Sequence, residues 1–312
     1  MTIPHFPPQA PEFATTPIFA GLPGDIEVSF EFFPPAPGVA EDKLFEALKP
    51  LASLAPRFVS ITYGAGGSTR ERSFATIARV MGESDVPVAA HLTCVRASKA
   101  ETNATAERLW GMGVRHIVAL RGDAGAPGAP FAPHPEGYAS AADLVAGLKA
   151  LHPFEISVSA YPECHPEAES PQAEIDYLKR KFDAGADRAI TQFFFSSECF
   201  FRFRDRAAAA GITQPIVPGI LPVTNLARTR KLAAQCGADV PHWLIELMEG
   251  LDVFPRAREH VAATVTAEFC RRLYAEDVKK FHFYTLNRAE LTYSTCHLLG
   301  LRGSGFAMEM AA

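Results

Sequence analysis

Short runs in which apolar and polar residues alternate recur along the chain, separated by longer stretches with helical spacing. The period-two runs predict strands over 25–33, 57–63, 86–94, 115–121, 155–161, 188–194, 215–221 and 280–286. The stretches between them predict helices over 41–54, 70–82, 99–112, 139–151, 171–185, 196–210, 224–236 and 287–299, with an extra helical region over 241–274. Eight strand–helix units in one chain predict an α/β fold, a single-domain (β/α)8 TIM barrel. The barrel is expected over 25–302, with a Pro-rich extension over 1–24 and a tail over 303–312. A doubly wound open sheet is the alternative. That fold usually carries a Gly-rich turn after its first strand, whereas here the first run ends Phe32-Phe33-Pro34-Pro35.

Side chains alternate across a strand, so each run divides into two faces. Ile26, Val28, Phe30 and Phe32 share one face of the first run, and Glu27, Ser29 and Glu31 share the other. In the third, Val86, Val88, Ala90 and Leu92 oppose Ala89, His91 and Thr93. In the fifth, Ile156, Val158 and Ala160 oppose Ser157, Ser159 and Tyr161. The apolar face suits the helical layer. The small polar face suits the barrel interior, which a purely structural barrel fills with branched aliphatics.

Composition narrows the class. The chain has 312 residues, 48% hydrophobic and 21% charged, as expected of a globular protein. A net charge of −5 gives no reason to expect nucleic acid or an anionic membrane as partner. No window is long and apolar enough for a membrane span, and residues 1–24 lack the pattern of a secretory signal. The six cysteines form no C-x-x-C pair, which fits reduced thiols in a cytoplasmic protein.

Candidate chemistry gathers at the C-terminal ends of the strands, where such barrels place their active sites. Those ends carry Glu31, Thr62, Tyr63, His91, Thr93, Arg121, Asp123, Tyr161, Glu163, His165, Gln192 and Tyr284. Glu31 lies between Phe30 and Phe32, which argues for a raised pKa, whereas Asp123 follows Arg121 and Gly122 and should stay ionised. Two carboxyls with separated pKa values suit an acid and an anion. Lys279 and Lys280 lie at the wrong end for a Schiff base. No H-x-H or H-E-x-x-H spacing favours zinc, and no metal is expected. The loop Gly64–Thr69 lacks the ending of a phosphate loop. A two-carboxylate hydrolase remains the alternative on spacing alone.

Several segments together resemble the bacterial methylenetetrahydrofolate reductase family. They are Val-Ser-Phe-Glu-Phe-Phe-Pro-Pro (28–35), Ser-Ile-Thr-Tyr-Gly-Ala (60–65), Ala-His-Leu-Thr-Cys (90–94) and Arg-His-Ile-Val-Ala-Leu-Arg-Gly-Asp (115–123). Further matches are Ala-Tyr-Pro-Glu-x-His-Pro-Glu (160–167), Leu-Lys-Arg-Lys (178–181) and Arg-Ala-Ile-Thr-Gln-Phe-Phe-Phe (188–195). Pro-Gly-Ile-Leu-Pro-Val (218–223) and Phe-His-Phe-Tyr-Thr-Leu-Asn-Arg-Ala-Glu (281–290) complete the series, which runs in order nearly end to end.

The resemblance implies an FAD-dependent enzyme that takes hydride from NADH or NADPH. It then reduces 5,10-methylenetetrahydrofolate to 5-methyltetrahydrofolate in a ping-pong cycle that supplies methyl groups for methionine synthesis. A flavin- or folate-binding barrel without turnover is the alternative within the family. The resemblance makes Glu31 the general acid toward the folate N10 and places Asp123 beside flavin and pterin. It matches Thr62, His91, Arg121, Gly122, Asp123, Tyr161, His165 and Lys181 to flavin contacts, with Glu174 standing where the family has aspartate. It matches Gln192 and Arg288 to substrate contacts, with Leu232 in place of a stacking phenylalanine. It also implies a cytoplasmic homo-oligomer without the C-terminal regulatory domain of eukaryotic relatives. Alternation turns Phe30 and Phe32 away from Glu31, so bound flavin and folate are expected to supply the cover that keeps its proton.

Overall fold

The structure is a computed structural model and describes residues 24–36, 38–63, 70–122 and 132–303. Its strands are β1 (Glu27–Phe32), β2 (Val59–Ile61), β3 (Val88–Thr93), β4 (His116–Leu120), β5 (Glu155–Ala160), β6 (Arg188–Thr191), β7 (Ile216–Val217), β8 (Gly219–Ile220) and β9 (Lys280–Tyr284). All pairings are parallel, in the order β7-β6-β5-β4-β3-β2-β1-β9-β8. β7 and β8 are two halves of one barrel strand. The run over 215–221 is broken at Pro218, which has no N–H for the ladder. The first half pairs with β6 and the second with β9, and Pro218 O accepts the His282 N–H at 3.0 Å. The ring is thereby carried round from β6 to β9, giving the expected (β/α)8 barrel.

The helices are α1 (Val39–Ala52), α2 (Arg70–Glu83), α3 (Lys99–Gly111), α4 (Ala141–Leu151), α5 (Pro171–Asp183), α6 (Ser197–Ala209), α7 (Leu226–Cys236), α8 (His242–Met248), α9 (Pro255–Ala275) and α10 (Ala289–Leu298). Their starts are written in the sequence. The Ser98, Ser140, Ser170, Ser196 and Asn225 side chains each accept the backbone N–H three residues on. The extra helical region is two helices, α8 and α9, joined through Gly250 in the left-handed region (φ 76) and a 3₁₀ turn at Leu251–Val253.

The two strand faces separate as alternation requires. Val28, Phe30, Phe32, Phe281 and Phe283 pack outward with Leu44, Leu48 and Leu51 of α1 in the main apolar core. Inside the barrel, a small cluster of Phe58, Ala89, Val118 and Ile190 fills the level toward the strands' N-terminal ends. The Phe58 ring meets His116 edge-on at 4.3 Å, and His116 Nε2 bonds Ser157 Oγ at 2.7 Å. Burial pushes the His116 imidazole down to about 3, so this histidine is a neutral structural group. The closed end is thus packed, and the polar interior positions lead to the open end. Among the described residues, no helix is long and apolar enough to cross a membrane.

Candidate active site

Glu31 points into the barrel from the C-terminal half of β1. Thr285, just past β9, fixes its backbone: the Thr285 hydroxyl donates to Glu31 O at 2.6 Å, and the Thr285 N–H reaches the same oxygen at 3.3 Å. Asn287 then clasps Phe33, accepting its N–H at 2.8 Å and donating to its carbonyl at 2.9 Å. Leu286 and Asn287 adopt left-handed φ values of 52 and 57 to make this turn. The β1 end is therefore held from the far end of the sequence.

The carboxylate of Glu31 lies between two imidazoles. His91 Nε2 of β3 is 3.4 Å from Glu31 Oε2, and His282 Nε2 of β9 is 3.8 Å from the same oxygen. All three residues are buried. Burial alone would raise the Glu31 pKa, but His282 and His91 outweigh it and hold the carboxyl at about 2. In the free protein the carboxyl is therefore ionised, and, as alternation requires, the phenylalanines beside it in sequence give it no cover. Phe30 and Phe32 belong to the outer core, and the neighbours that set its charge come from β3 and β9. Burial keeps His282 itself below the usual imidazole value, against the pull of Glu31.

A second polar group forms over β4, β5 and α5. Arg121 follows β4, and its guanidinium donates to Glu167 Oε2 at 2.6 Å. Gly122 has φ +86, and a Cβ there would lie 2.6 Å from Val95 Cγ1 and 3.0 Å from Thr93 Cβ, so only glycine fits. Tyr161 follows β5 with its ring edge-to-face on His165 at 4.7 Å. His165 Nδ1 accepts the Glu167 N–H at 3.0 Å, leaving Nε2 to carry the proton of the neutral ring. Burial, helped by Arg121, keeps His165 below its ordinary value. Glu174 is buried in the first turn of α5 and accepts the His165 N–H at 3.3 Å. Lys181, also on α5, is buried. Its ammonium donates to Ser159 O at 2.6 Å and lies 4.5 Å from the Tyr177 ring centre. Burial pushes it down to about 8, with Glu174 pulling the other way.

The remaining candidates are spread around the mouth. Thr62 follows β2, with its N–H on Phe32 O at 3.0 Å and its carbonyl accepting from Ser73 Oγ at 3.0 Å. Gln192 follows β6 and turns its amide oxygen back onto the Phe193 N–H at 3.0 Å. Leu232 of α7 is partly buried against a second apolar cluster containing Phe193, Phe195, Leu221 and Val223. Arg288 is exposed at the N-cap of α10, with its N–H on Thr285 O at 2.9 Å. Asp123 and the loop Gly64–Thr69 lie outside the described residues, as does most of the loop 124–138. The structure thus gathers Glu31 with His91, and Arg121, Tyr161, His165, Glu174 and Lys181 with one another.

Two residues were missed from sequence. His282 shares the inward face of β9 with Lys280 and Tyr284, and that phase was the available signal. Glu167 was visible only as part of a motif, yet it is the partner of Arg121. Tyr284 is placed by Gly219. Its hydroxyl donates to Thr191 O at 2.7 Å, and a Cβ on Gly219 would fall 2.1 Å from that oxygen and 2.6 Å from Tyr284 Cε2.

The chain is similar over residues 20–300 to the family described as methylenetetrahydrofolate reductase. It is 49% identical over 283 residues to 5,10-methylenetetrahydrofolate reductase of Pectobacterium carotovorum subsp. carotovorum, covering 91% of this chain and 93% of that one. It is 48% identical over 283 residues to the protein of the same name from Escherichia coli (strain K12), covering 91% and 94%. Among solved structures, an uncharacterized protein from Clostridium thermocellum that binds two copies of 5-methyl-5,6,7,8-tetrahydrofolic acid superposes with a TM-score of 0.59. It covers 88% of this chain and 93% of that one at 14% identity, a likeness of fold. The chain belongs to the methylenetetrahydrofolate reductase family.

Proposed function

We propose that this protein reduces 5,10-methylenetetrahydrofolate to 5-methyltetrahydrofolate, with FAD as resident cofactor and NADH or NADPH as the electron source, in a ping-pong cycle. The observation that carries the reading is Glu31, a buried carboxylate between His91 and His282 in the mouth of a barrel of this family. The relatives' name, 5,10-methylenetetrahydrofolate reductase, supplies the substrate. A product methylated at folate N5 suits methionine synthesis in the cytoplasm. By family likeness the protein works as a homo-oligomer.

The residues present fit a flavin nucleotide. His91 Nε2 is buried with Glu31 Oε2, at 3.4 Å, as its polar neighbour among the described residues, and the Lys181 ammonium is buried on Ser159 O. Arg121 and Lys181 offer cations suited to phosphate. Thr62, Tyr161 and His165 offer donors suited to ring carbonyls and ribityl hydroxyls, and left-handed Gly122 lets backbone approach closely. Glu174 would hold the His165 loop in place. When bound, FAD supplies the acceptance and donation of hydride. Glu31, ionised in the free protein, takes up a proton as substrate covers it and delivers that proton to folate N10, opening the ring. Asp123 would hold negative charge beside the pterin. Gln192 and Arg288 would orient the folate, and Leu232 would pack against it without aromatic stacking.

The test is to denature the purified yellow protein and identify released FAD, then follow two half-reactions by stopped flow. Reduction by NADH and by NADPH is compared first, followed by reoxidation with methylenetetrahydrofolate. Colourless protein that takes up no added FAD contradicts the reading. Reduced flavin that methylenetetrahydrofolate fails to reoxidise leaves only a binding protein.

A further inference from the structure

Behind Glu31, on the side away from the mouth, Ser29 Oγ lies 2.7 Å from His282 Nδ1. Ser29 and Glu31 share the inward face of β1, and the ladder sets Ser29 opposite His282 and Glu31 opposite Tyr284. The His282 ring thus spans the two inward β1 side chains, Nδ1 on the serine and Nε2 3.8 Å from the carboxylate. Ser29 Oγ also lies 3.4 Å from Phe281 O, a much longer contact; with the hydroxyl donating to Nδ1 instead, the neutral ring carries its proton on Nε2, toward Glu31. The Phe58 ring stacks on His282 at 5.8 Å and limits its rotation. Ser29 also lines a small void toward the closed end, with Glu27, Phe58, Arg188, Ile190 and Lys280. The pair therefore reaches Glu31 from the side that substrate does not enter.

We propose that His282, held by Ser29, is a positioning residue for Glu31. The pair aims the carboxylate and keeps it ionised between turnovers, so that Glu31 takes up its proton only when substrate covers it. This rests on the reading of Glu31 as the proton donor. The charged and titratable groups around the arrangement are few. Glu31 is faced by His91 from β3 and by His282 and Tyr284 from β9, and His282 is faced in turn by His116 from β4 and Arg188 from β6. Burial keeps Tyr284 and His116 uncharged near neutrality. Of these groups, the imidazoles of His282 and His91 are the ones that lower Glu31.

Two isosteric substitutions separate aiming from mere packing. In His282→Asn the amide nitrogen can occupy the Nδ1 position, keeping Ser29 but ending short of Glu31. In His282→Gln it can reach the Nε2 position and still donate to the carboxylate. The measurement is the titration of the Glu31 side-chain carboxyl by 13C NMR from pH 8 to pH 4, assigned by difference with Glu31→Gln. The wild-type carboxyl stays ionised throughout. His282→Asn brings its midpoint up by at least about one unit, Ser29→Ala moves it less in the same direction, and His282→Gln stays near wild type. A His282→Asn carboxyl that titrates as wild type, or a His282→Gln shift as large as that of His282→Asn, overturns the proposal. Should His282→Asn not fold, Ser29→Ala decides: a rise supports the proposal and no rise overturns it. The readout needs no substrate, so expected shifts in a protein that fails to turn over folate would sink the reductase reading alone.

Discussion

Replacing Glu31 by glutamine should reshape the acid limb of the stability curve. The wild-type carboxyl falls from 4.5 to about 2 on folding, because His282 and His91 outweigh the penalty of burial. At about 1.4 kcal/mol per pKa unit, that is worth about 3 kcal/mol of folding free energy. The folded value is depressed, so this contribution is complete well above pH 4.5 and is lost as pH falls toward about 2. By pH 3 about 2 kcal/mol of it should be gone. Glu31→Gln cannot titrate and lacks this slope, whatever its stability at neutral pH. The assay is urea unfolding followed by circular dichroism at pH 7, 5, 4 and 3 on both proteins. Groups that titrate alike in both cancel in the difference. A wild-type advantage that shrinks by about 2 kcal/mol between pH 7 and pH 3 is the expected result. A difference that stays constant over that range refutes the assignment of Glu31 as a carboxylate held by two imidazoles.

Gly122→Ala forces a Cβ to 2.6 Å from Val95 Cγ1 at φ +86 and should cost roughly 2–4 kcal/mol by urea unfolding; an unchanged midpoint would remove the steric argument. Lys181→Met removes a buried ammonium already pushed down to about 8, so the FAD-free protein should be no less stable at pH 7. FAD affinity, read by fluorescence titration, should still fall about tenfold or more through loss of a charge-assisted contact. Unaltered affinity would take Lys181 out of the cofactor site. Asp123→Asn, argued from family likeness, should shift the flavin potential in a redox titration and slow reoxidation by folate; no change in either removes Asp123 from the mechanism.

The barrel was legible because its signal is local. Alternation in β1, β3 and β5 assigned Phe30, Leu92 and Val158 outward and Ser29, His91 and Ser157 inward, as the structure has them. The serine and asparagine caps are present in the sequence as well, but hydrophobic spacing alone sets the expected helix starts, which are placed without them. The break at Pro218 was also present as a residue type, but a one-residue interruption does not disturb the hydrophobic pattern from which strands are read. The charge state of Glu31 was not legible. Its sequence neighbours are phenylalanines that point elsewhere, while the groups that govern it come from β3 and from β9, near the far end of the chain. Only closure of the barrel makes them neighbours. His282 escaped notice for the same reason, since its meaning lies in Ser29 and Glu31 across the ladder. Arg121 was identified from its strand end, but its pairing with Glu167 depends on the fold of the loop after β5.

The central claim is that Glu31 delivers the proton that opens the folate ring. The most direct measurement is stopped-flow kinetics of the two half-reactions in Glu31→Gln beside wild type. The account predicts that flavin reduction by nicotinamide persists while reoxidation by methylenetetrahydrofolate slows by about 10² to 10⁴. Reoxidation at the wild-type rate would contradict it.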